Sequence, residues 1–426
     1  MKKITFQVPT GMHDILDEDQ RYFQEIYAAV VDLVDFYHFK KITTPILENS
    51  DLFAKGIGLD TDIVEKEMFS LKTKGGDHLS LRPEGTAGVV RSYIEHGMRN
   101  LPQPLKFWYF GPFFRYERPQ AGRYRQFYQA GLEIIGEKNS VVDVQIIQIF
   151  YNILKKLNFK NLLVEINSLG DSQCRPNYRR LLVRYLKSRA NSLCPDCKRR
   201  LKENPLRILD CKEEKCQKVF SSAPQMVDHL CDECKLHFKE VLEFLDEAGI
   251  PYSFNPYLVR GLDYYTKTVF EIVREGEESN QGTLVGGGRY DNLVRLLGGK
   301  DTPACGAAMG IERIINVMKT TGLNSFKSLE PKVYLAQLGP LAKRKSLRLL
   351  EEEFRLAKIQ ISESFNKDSL RTQLGIADKI GVEYALVFGQ KEALENSIII
   401  RDMKTSRQET VKLEDIVKEL RSRLKK

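Results

Sequence analysis

The sequence predicts an α+β protein in which a strand-rich body is interrupted by a helical insertion and followed by a small α/β domain. Aromatic and β-branched runs recur through residues 1–170 and again through 251–325. Residues 171–250 are instead helical in pattern, strongly charged and cysteine-bearing. They lie between strands of the body and so read as an insertion. From 331 to 426 strands and helices alternate, as in a small α/β unit. At roughly 100–200 residues per domain, the length of 426 residues accommodates two to four domains. A hydrophobic fraction of 42% and a charged fraction of 29% belong to an ordinary folded chain. A chain of this length buries a full core without disulfide or metal staples.

The elements follow in order. Residues 17–36 read as a helix, because Phe23, Ile26, Tyr27, Val30, Val31 and Val34 recur at helical spacing. Residues 41–47 read as a strand whose Pro45 places it at an edge or an interface. Residues 105–110 form a second strand, rich in aromatics. Gly111-Pro112 interrupts it before 113–117, and strand character resumes over 127–133. A helix over 142–157 and a strand over 162–167 lead into the insertion. After it, 251–254, 268–274 and Leu284-Val285 return to strand. Residues 305–319 read as a helix entered through Gly306-Ala307-Ala308. A polar linker spans 323–331; beyond it 333–336 is a strand and 342–356 a helix, and a further strand and helix lead to a strand at 384–388.

The formal charge of +9 permits a polyanionic partner without requiring one. Residues 332–426 hold 20 Lys/Arg against 14 Asp/Glu, two thirds of that excess. Charge alone makes this a solvated, lysine-rich surface. No apolar run approaches the ~20 residues of a membrane span. The start, Met1-Lys2-Lys3-Ile4-Thr5-Phe6, lacks the apolar stretch of a secretory signal, so a cytoplasmic location is expected.

The most informative stretch is Phe114-Arg115-Tyr116-Glu117-Arg118-Pro119-Gln120-Ala121-Gly122-Arg123-Tyr124-Arg125-Gln126-Phe127, with four arginines in eleven residues. Arginine's planar fork matches phosphate oxygens. A hairpin holds alternate side chains on one face. Arg115 on the strand thus faces a pocket while the loop arginines reach outward. A charged surface hairpin is the other reading these residues allow.

Phe114-Arg115-Tyr116-Glu117 with its distal strand resembles motif 2 of class II aminoacyl-tRNA synthetases. Gly306-Ala307-Ala308-Met309-Gly310-Ile311-Glu312-Arg313 resembles motif 3, and the helix and strand ending at Pro45 resemble motif 1, which in that family builds the dimer interface. Two further segments narrow the resemblance to the histidyl-tRNA synthetase family: Arg82-Pro83-Glu84-Gly85-Thr86, and Arg260-Gly261-Leu262-Asp263-Tyr264-Tyr265 followed by Thr268-Val269-Phe270-Glu271. The resemblance covers nearly the whole chain and keeps the order of the motifs. It implies an antiparallel-sheet class II synthetase catalytic core in 1–170 and 251–325, carrying the insertion, and an anticodon-binding domain in 331–426. The implied activity is that of a histidine–tRNA ligase. L-histidine is activated with ATP, accompanied by Mg2+, and is then transferred to the 3' end of tRNA(His). A cytoplasmic homodimer is implied, with no membrane and no DNA partner.

Site roles are implied residue by residue. Arg115 matches the arginine on the ATP α-phosphate and Arg313 that on the γ-phosphate, while Arg123 is implied to contact ATP and the tRNA acceptor end. Arg260 matches the family's catalytic arginine, opposite Arg115. Attack by the histidine carboxylate builds negative charge there, and a pre-placed cation stabilises it by about 3–4 kcal/mol. Arg115 and Arg260 also count among the histidine-binding residues. No protein nucleophile is needed, and none of the six histidines lies in these motifs. Glu84, Thr86 and Gln129, with Gly85 among them, match the surroundings of the substrate ammonium. Glu133 and Tyr265 are implied to flank the imidazole, whose two nitrogens are distinct; Tyr264 and Tyr290 line the same pocket. Such a polar match penalises an apolar isostere heavily. From the residues alone the tyrosine pair reads as strand core. Gly286-Gly287-Gly288-Arg289-Tyr290-Asp291 lacks the spacing of a dinucleotide loop. It resembles the family's glycine-rich strand under the histidine pocket.

Cys194-x2-Cys197 and Cys231-x2-Cys234 flank Cys211 and Cys216 in the insertion. Paired knuckles of this kind suit tetrahedral zinc, and disulfides are disfavoured in a cytosolic chain. Many members of the resembled family carry the insertion without needing a metal, so a structural zinc stays open and no metal ligand is assigned. Cys174 and Cys305 read as buried small apolar residues. A second function to weigh is a non-catalytic regulatory subunit, like the synthetase-like partner of ATP phosphoribosyltransferase in histidine biosynthesis. Such proteins lack the anticodon domain and lose catalytic residues, whereas this chain keeps Arg115, Arg260, Arg313 and a full 331–426 domain.

Overall fold

A computed structural model describes residues 6–120, 122–276, 282–323 and 331–424. The first five residues and nearly all of the expected linker, 324–330, lie outside the described residues. The chain divides into two compact units, Met1–Phe326 and Lys327–Lys426.

In the first unit the strands are β1 (Lys40–Lys41), β2 (Leu47–Asn49), β3 (Ser70–Lys72), β4 (His78–Leu81), β5 (Leu105–Phe114), β6 (Gln126–Ile135), β7 (Leu162–Ser168), β8 (Tyr252–Phe254), β9 (Thr266–Arg274), β10 (Thr283–Arg289) and β11 (Ala304–Gly310). Eight of them form one sheet in the order β1-β5-β6-β11-β10-β9-β7-β8, and β2-β4-β3 form a small second sheet. The pairings from β5 through β7 are antiparallel, and only the edge strands β1 and β8 pair parallel.

One face of the large sheet is covered by helices. Asp17–Phe36 forms a helix because its apolar residues make a stripe and Asp17, Glu18 and Asp19 complement the dipole of its first turn. The stripe buries Phe23, Ile26, Val30 and Val34 against Trp108, Leu132 and Ile134. Each such side chain contributes about 1.5–3 kcal/mol. The helices Val141–Lys156, Asp232–Glu247 and Ile311–Thr321 complete this layer. A buried ion network ties sheet to helices: Arg289 of β10 donates to Asp143 at 2.6 Å, and His237 meets the same carboxylate at 2.8 Å. Burial alone would raise the Asp143 carboxyl, but the Arg289 guanidinium and His237 hold it down at about 2.

Three readings are corrected. Residues 41–47 are not one strand: β1 stops at Lys41 and β2 starts at Leu47. Between them Arg82 takes over the backbone, donating to the Thr44 carbonyl at 2.8 Å. Gly111-Pro112 does not interrupt the aromatic strand, because β5 runs through it. Pro112 lies beyond the short β1 partner, so its missing N–H breaks no ladder bond, and the Arg82 Nε caps its carbonyl at 2.9 Å. Residues 304–310 are strand β11, paired with both β6 and β10, and the helix starts only at Ile311.

The insertion between β7 and β8 carries the helices Arg175–Lys187, Pro195–Glu203, Glu214–Phe220 and Asp232–Glu247, the last packing on the main core. In the second unit, β12 (Val333–Gln337), β13 (Ile361–Glu363), β14 (Tyr384–Phe388), β15 (Ser397–Asp402) and β16 (Gln408–Lys412) make a sheet of order β13-β12-β14-β15-β16. The first three strands are parallel and the last two antiparallel. The alternation that predicts this unit stops at Phe388; the hairpin after it is an addition.

Candidate active site

The site face of the large sheet follows from strand register. In β6, Ala130, Leu132 and Ile134 enter the helix-covered core, so Gln129, Gly131 and Glu133 take the other face. Across the sheet Tyr109, Gly131, Ala308, Gly286 and Glu271 pair in one row, and Phe107, Glu133, Gly306, Gly288 and Val269 in the next. Small residues fill the middle of both rows and leave a trough. This chain's own side chains enter it first. A Cβ on Gly306 would stand 1.7 Å from the Glu133 carboxylate, and one on Gly286 2.2 Å from the Arg260 guanidinium. In the glycine-rich strand, Gly286 thus makes room for Arg260.

At one end of the trough lies a buried polar cluster. Glu133 is fully buried, accepting from Thr86 Oγ1 at 2.8 Å and from the Tyr290 phenol, with Tyr109 at 3.5 Å. Burial raises its carboxyl to about 8, against the opposing bonds from Tyr290 and Thr86, so it holds a proton at neutral pH. In so low a dielectric the side chain stands as a carboxylic acid rather than a carboxylate. Glu84 accepts from the backbone N–H groups of Thr86 and Ala87 at 2.6 and 2.8 Å, at the start of the helix Thr86–Glu95. Burial raises its pKa while those N–H bonds lower it. The Tyr264 ring packs tilted against Tyr265 at 4.7 Å and edge-on against Tyr290 at 5.7 Å. Burial keeps the phenols of Tyr109, Tyr264 and Tyr290 protonated. Gln129 Oε1 is buried without a hydrogen-bond partner. An orphan acceptor beside a cleft calls for a donor on a ligand.

At the other end the arginines gather. Arg115, Arg123, Arg260 and Arg313 all line one cleft of about 1320 Å³, together with Glu84, Thr86, Gln129, Tyr264 and Tyr265. Glu133 and Tyr290 are not on the wall of the cleft; they stand behind Thr86 and Tyr264. Arg115 is anchored by its Nε on the Pro83 carbonyl at 2.9 Å, with its guanidinium 5.5 Å from the Phe127 ring. Arg260 pairs with Glu271, and its Nε is buried without a partner. Arg313 donates to the Thr283 carbonyl at 2.7 Å. Burial lowers its pKa, and the nearby charges of Arg123 and Arg260 add to that. Arg123 is the exposed member, 3.4 Å from Glu117. Several cations crowded into a half-buried space repel one another, and a polyanion relieves that repulsion. Among the described residues, the two groups with metal-ligand spacing both lie in the insertion.

Sequence reasoning missed three features. Tyr109 fills the trough opposite Gly131, and the hairpin register was the signal for it. Glu271 and Thr283 hold Arg260 and Arg313 in place. One wall of the cleft belongs to the insertion, including Arg200, Arg207 and Lys212. Arg200 and Arg207 reach Asp62 at 3.1 and 2.9 Å, and no local pattern announces so distant a pairing. The cysteines also divide otherwise than the flanking knuckles suggest. Cys194, Cys197, Cys211 and Cys216 form one group; Cys231 and Cys234 join Asp171 and Cys174 in another. Cys174 is buried in the core of the insertion and Cys305 in the sheet core, as expected.

Comparison with known proteins accords with this geometry. The family described as Histidyl-tRNA synthetase matches residues 11–314, and that described as Anticodon binding domain matches 333–423. A histidine–tRNA ligase of Thermodesulfovibrio yellowstonii is 44% identical over 96% of this chain and 97% of its own length. One of Caldicellulosiruptor saccharolyticus is 41% identical over 98% and 99%. The crystal structure of apo S. aureus histidyl-tRNA synthetase superposes with a TM-score of 0.79 at 36% identity, covering 97% of this chain and 99% of that one. A Bacillus halodurans ATP phosphoribosyltransferase regulatory subunit/histidyl-tRNA synthetase, at 20% identity and a TM-score of 0.64, shares the fold. With the family's match running from residue 11 through Arg313, and relatives aligned along nearly all of their own length, this chain belongs to the histidyl-tRNA synthetase family.

Proposed function

We propose that the chain is a histidine–tRNA ligase: it joins L-histidine to ATP as histidyl-adenylate, releasing pyrophosphate, and transfers the histidine to the 3' end of tRNA(His). The observation that carries this reading is the meeting of Arg115, Arg260 and Arg313 in one cleft that also holds the orphan Gln129 acceptor. In this reading Arg115 and Arg260 flank the α-phosphate. A carboxylate oxygen of histidine attacks the phosphorus, and the bond to the pyrophosphate oxygen breaks. Arg313 and Arg123 hold the leaving phosphates. The negative charge that builds on the α-phosphate oxygens meets cations already in place. Glu84, Thr86 and Gln129 receive the ammonium, and Gly85 keeps the backbone close. The imidazole lies against Tyr264 and Tyr265, and Glu133 and Tyr290 stand behind Thr86 and Tyr264 as the buried layer that holds those side chains in place. A ribose hydroxyl of the tRNA then attacks the adenylate carbonyl, and AMP leaves.

ATP enters as its magnesium complex. Mg2+ would use phosphate oxygens with one or two carboxylates and would neutralise phosphate charge; Glu117 and Glu271, which pair with Arg115 and Arg260, are the carboxylates beside the arginines that would help hold it. Residues 1–170 and 251–325 form the catalytic core in this reading, and 331–426 reads the anticodon. The chain works as a cytoplasmic homodimer paired through the segment ending at Pro45, beside which Ile46 and Leu47 are exposed. No helix among the described residues is long and apolar enough to cross a membrane. The regulatory-subunit alternative is disfavoured by relatives named histidine–tRNA ligase along 96–98% of the chain. ATP–pyrophosphate exchange measured with each of the twenty amino acids tests the reading. Exchange with histidine alone is expected; exchange with another amino acid, or with none, overturns it.

A further inference from the structure

The core of the insertion is unusual in composition: six of its seventeen buried members are cysteines. A lobe this small gains from a staple. Four of those cysteines, Cys194, Cys197, Cys211 and Cys216, are buried together, with every pair of sulfurs within 4.8 Å. All are free thiols. The Cys194 and Cys211 sulfurs stand 3.9 Å apart. Tetrahedral zinc with bonds of about 2.3 Å separates its sulfurs by about 3.8 Å. Backbone groups already point at the sulfurs: Cys197 N–H to Cys194 Sγ at 3.4 Å, and Cys194 N–H to Cys216 Sγ at 3.2 Å. Such N–H···S contacts offset thiolate charge and orient the ligands. Simple hydrophobic packing of thiols requires neither the four-fold convergence nor the donors.

We infer that Cys194, Cys197, Cys211 and Cys216 bind one structural zinc ion as four thiolates. Binding displaces the four thiol protons to solvent and leaves the oxidation state unchanged. The second group is built differently. The Asp171 Oδ1 there already accepts from the N–H groups of Gln173 and Cys174, in the turn that leads into the helix Arg175–Lys187, so it is already engaged as a backbone acceptor. The expected stoichiometry is one zinc per chain.

The zinc sits where it sets the cleft wall. It fixes the start of the helix Pro195–Glu203, whose Arg199 and Arg200 reach Glu65 and Asp62 at 2.8 and 3.1 Å. Asn204, next after that helix, donates to both Asp263 oxygens at 2.8 Å. Asp263 lies three residues beyond Arg260. The metal therefore holds a clamp on two segments of the cleft. Metal binding stands without the proposed reaction; only the effect on catalysis rests on that reading.

Elemental analysis of the full-length protein, purified without chelator, is expected to give about one zinc per chain. The Cys197→Ser/Cys211→Ser variant is expected to lose it, and Cys231→Ser to keep it. Should the double variant fail to fold, cobalt substitution of the unaltered protein decides: four thiolates give tetrahedral ligand-field bands and sulfur-to-cobalt charge transfer. A metal-free protein with cobalt spectra lacking those bands overturns the inference. So does iron in place of zinc, or zinc retained by the double variant and lost from Cys231→Ser.

Discussion

Arg260 shows how one residue is set by its surroundings. Glu271 holds one end of its guanidinium, the absent side chain of Gly286 gives it room, and its Nε is left without a partner. A group so held meets developing charge without reorganising. Arg260→Ala is expected to lower adenylate formation by about 10²–10³-fold while leaving the melting temperature nearly unchanged. ATP–pyrophosphate exchange at the unaltered rate in that variant would remove Arg260 from the chemistry. Glu133 offers a second test at the same scale. Its folded pKa, about 8, lies above its ordinary value of 4.5 because burial disfavours the charge. The proton is thus bound more tightly in the folded state. The resulting stability is fully present below about 4.5 and is lost as pH rises through about 8. Urea unfolding between pH 6 and 9 should show the midpoint falling in the unaltered protein, and a flatter profile in Glu133→Gln, which keeps the shape without the titration. Identical slopes would show that Glu133 is not held protonated.

At the scale of elements, strand β11 shows what a sequence withholds. Cys305 to Gly310 contains only small residues and one Met, so it has neither the period of two nor the bulk that marks a strand, and alanine favours helix. Its state is decided by its neighbours: β6 and β10, far away in the chain, pair with it on both sides. The helix Asp17–Phe36 was legible because its stripe is local, and the hairpin of β5 and β6 because its aromatic runs are long. The insertion's contribution to the cleft was not, since Arg207 and Asp62 meet across 145 positions of chain. The same small residues give a paired prediction. Gly286→Ala places a methyl first against the far end of Arg260, which can swing aside. Adenylate formation should fall by about 10²-fold with little loss of stability. Gly306→Ala meets the Glu133 carboxylate and the Leu132 backbone oxygen at 2.6 Å, and the latter cannot move cheaply. That variant should lose about 1–3 kcal/mol of stability. Equal stability of the two in chemical denaturation would contradict the packing described for the trough.

The whole molecule is two units with separate cores. The buried clusters of the first draw on residues between Tyr22 and Met318, and those of the second on residues between Val333 and Leu420. Every lining residue of the arginine cleft belongs to the first unit. Deleting 331–426 therefore removes no side chain from that cleft and none from its supporting core. The deleted part carries two thirds of the chain's positive excess, and its strands match the anticodon-binding family. Counterion release makes a polyanion's grip steeply salt-dependent, whereas a small substrate held in a cleft is affected far less. The truncated protein is expected to retain ATP–pyrophosphate exchange within about tenfold, while charging of tRNA drops by at least about 10²-fold as its binding contacts are lost. In the full chain, raising salt from 50 to 200 mM should weaken charging much more than exchange. If truncation abolished both reactions to the same degree without unfolding the first unit, anticodon reading could not be assigned to 331–426, and the two units would have to share the activation chemistry.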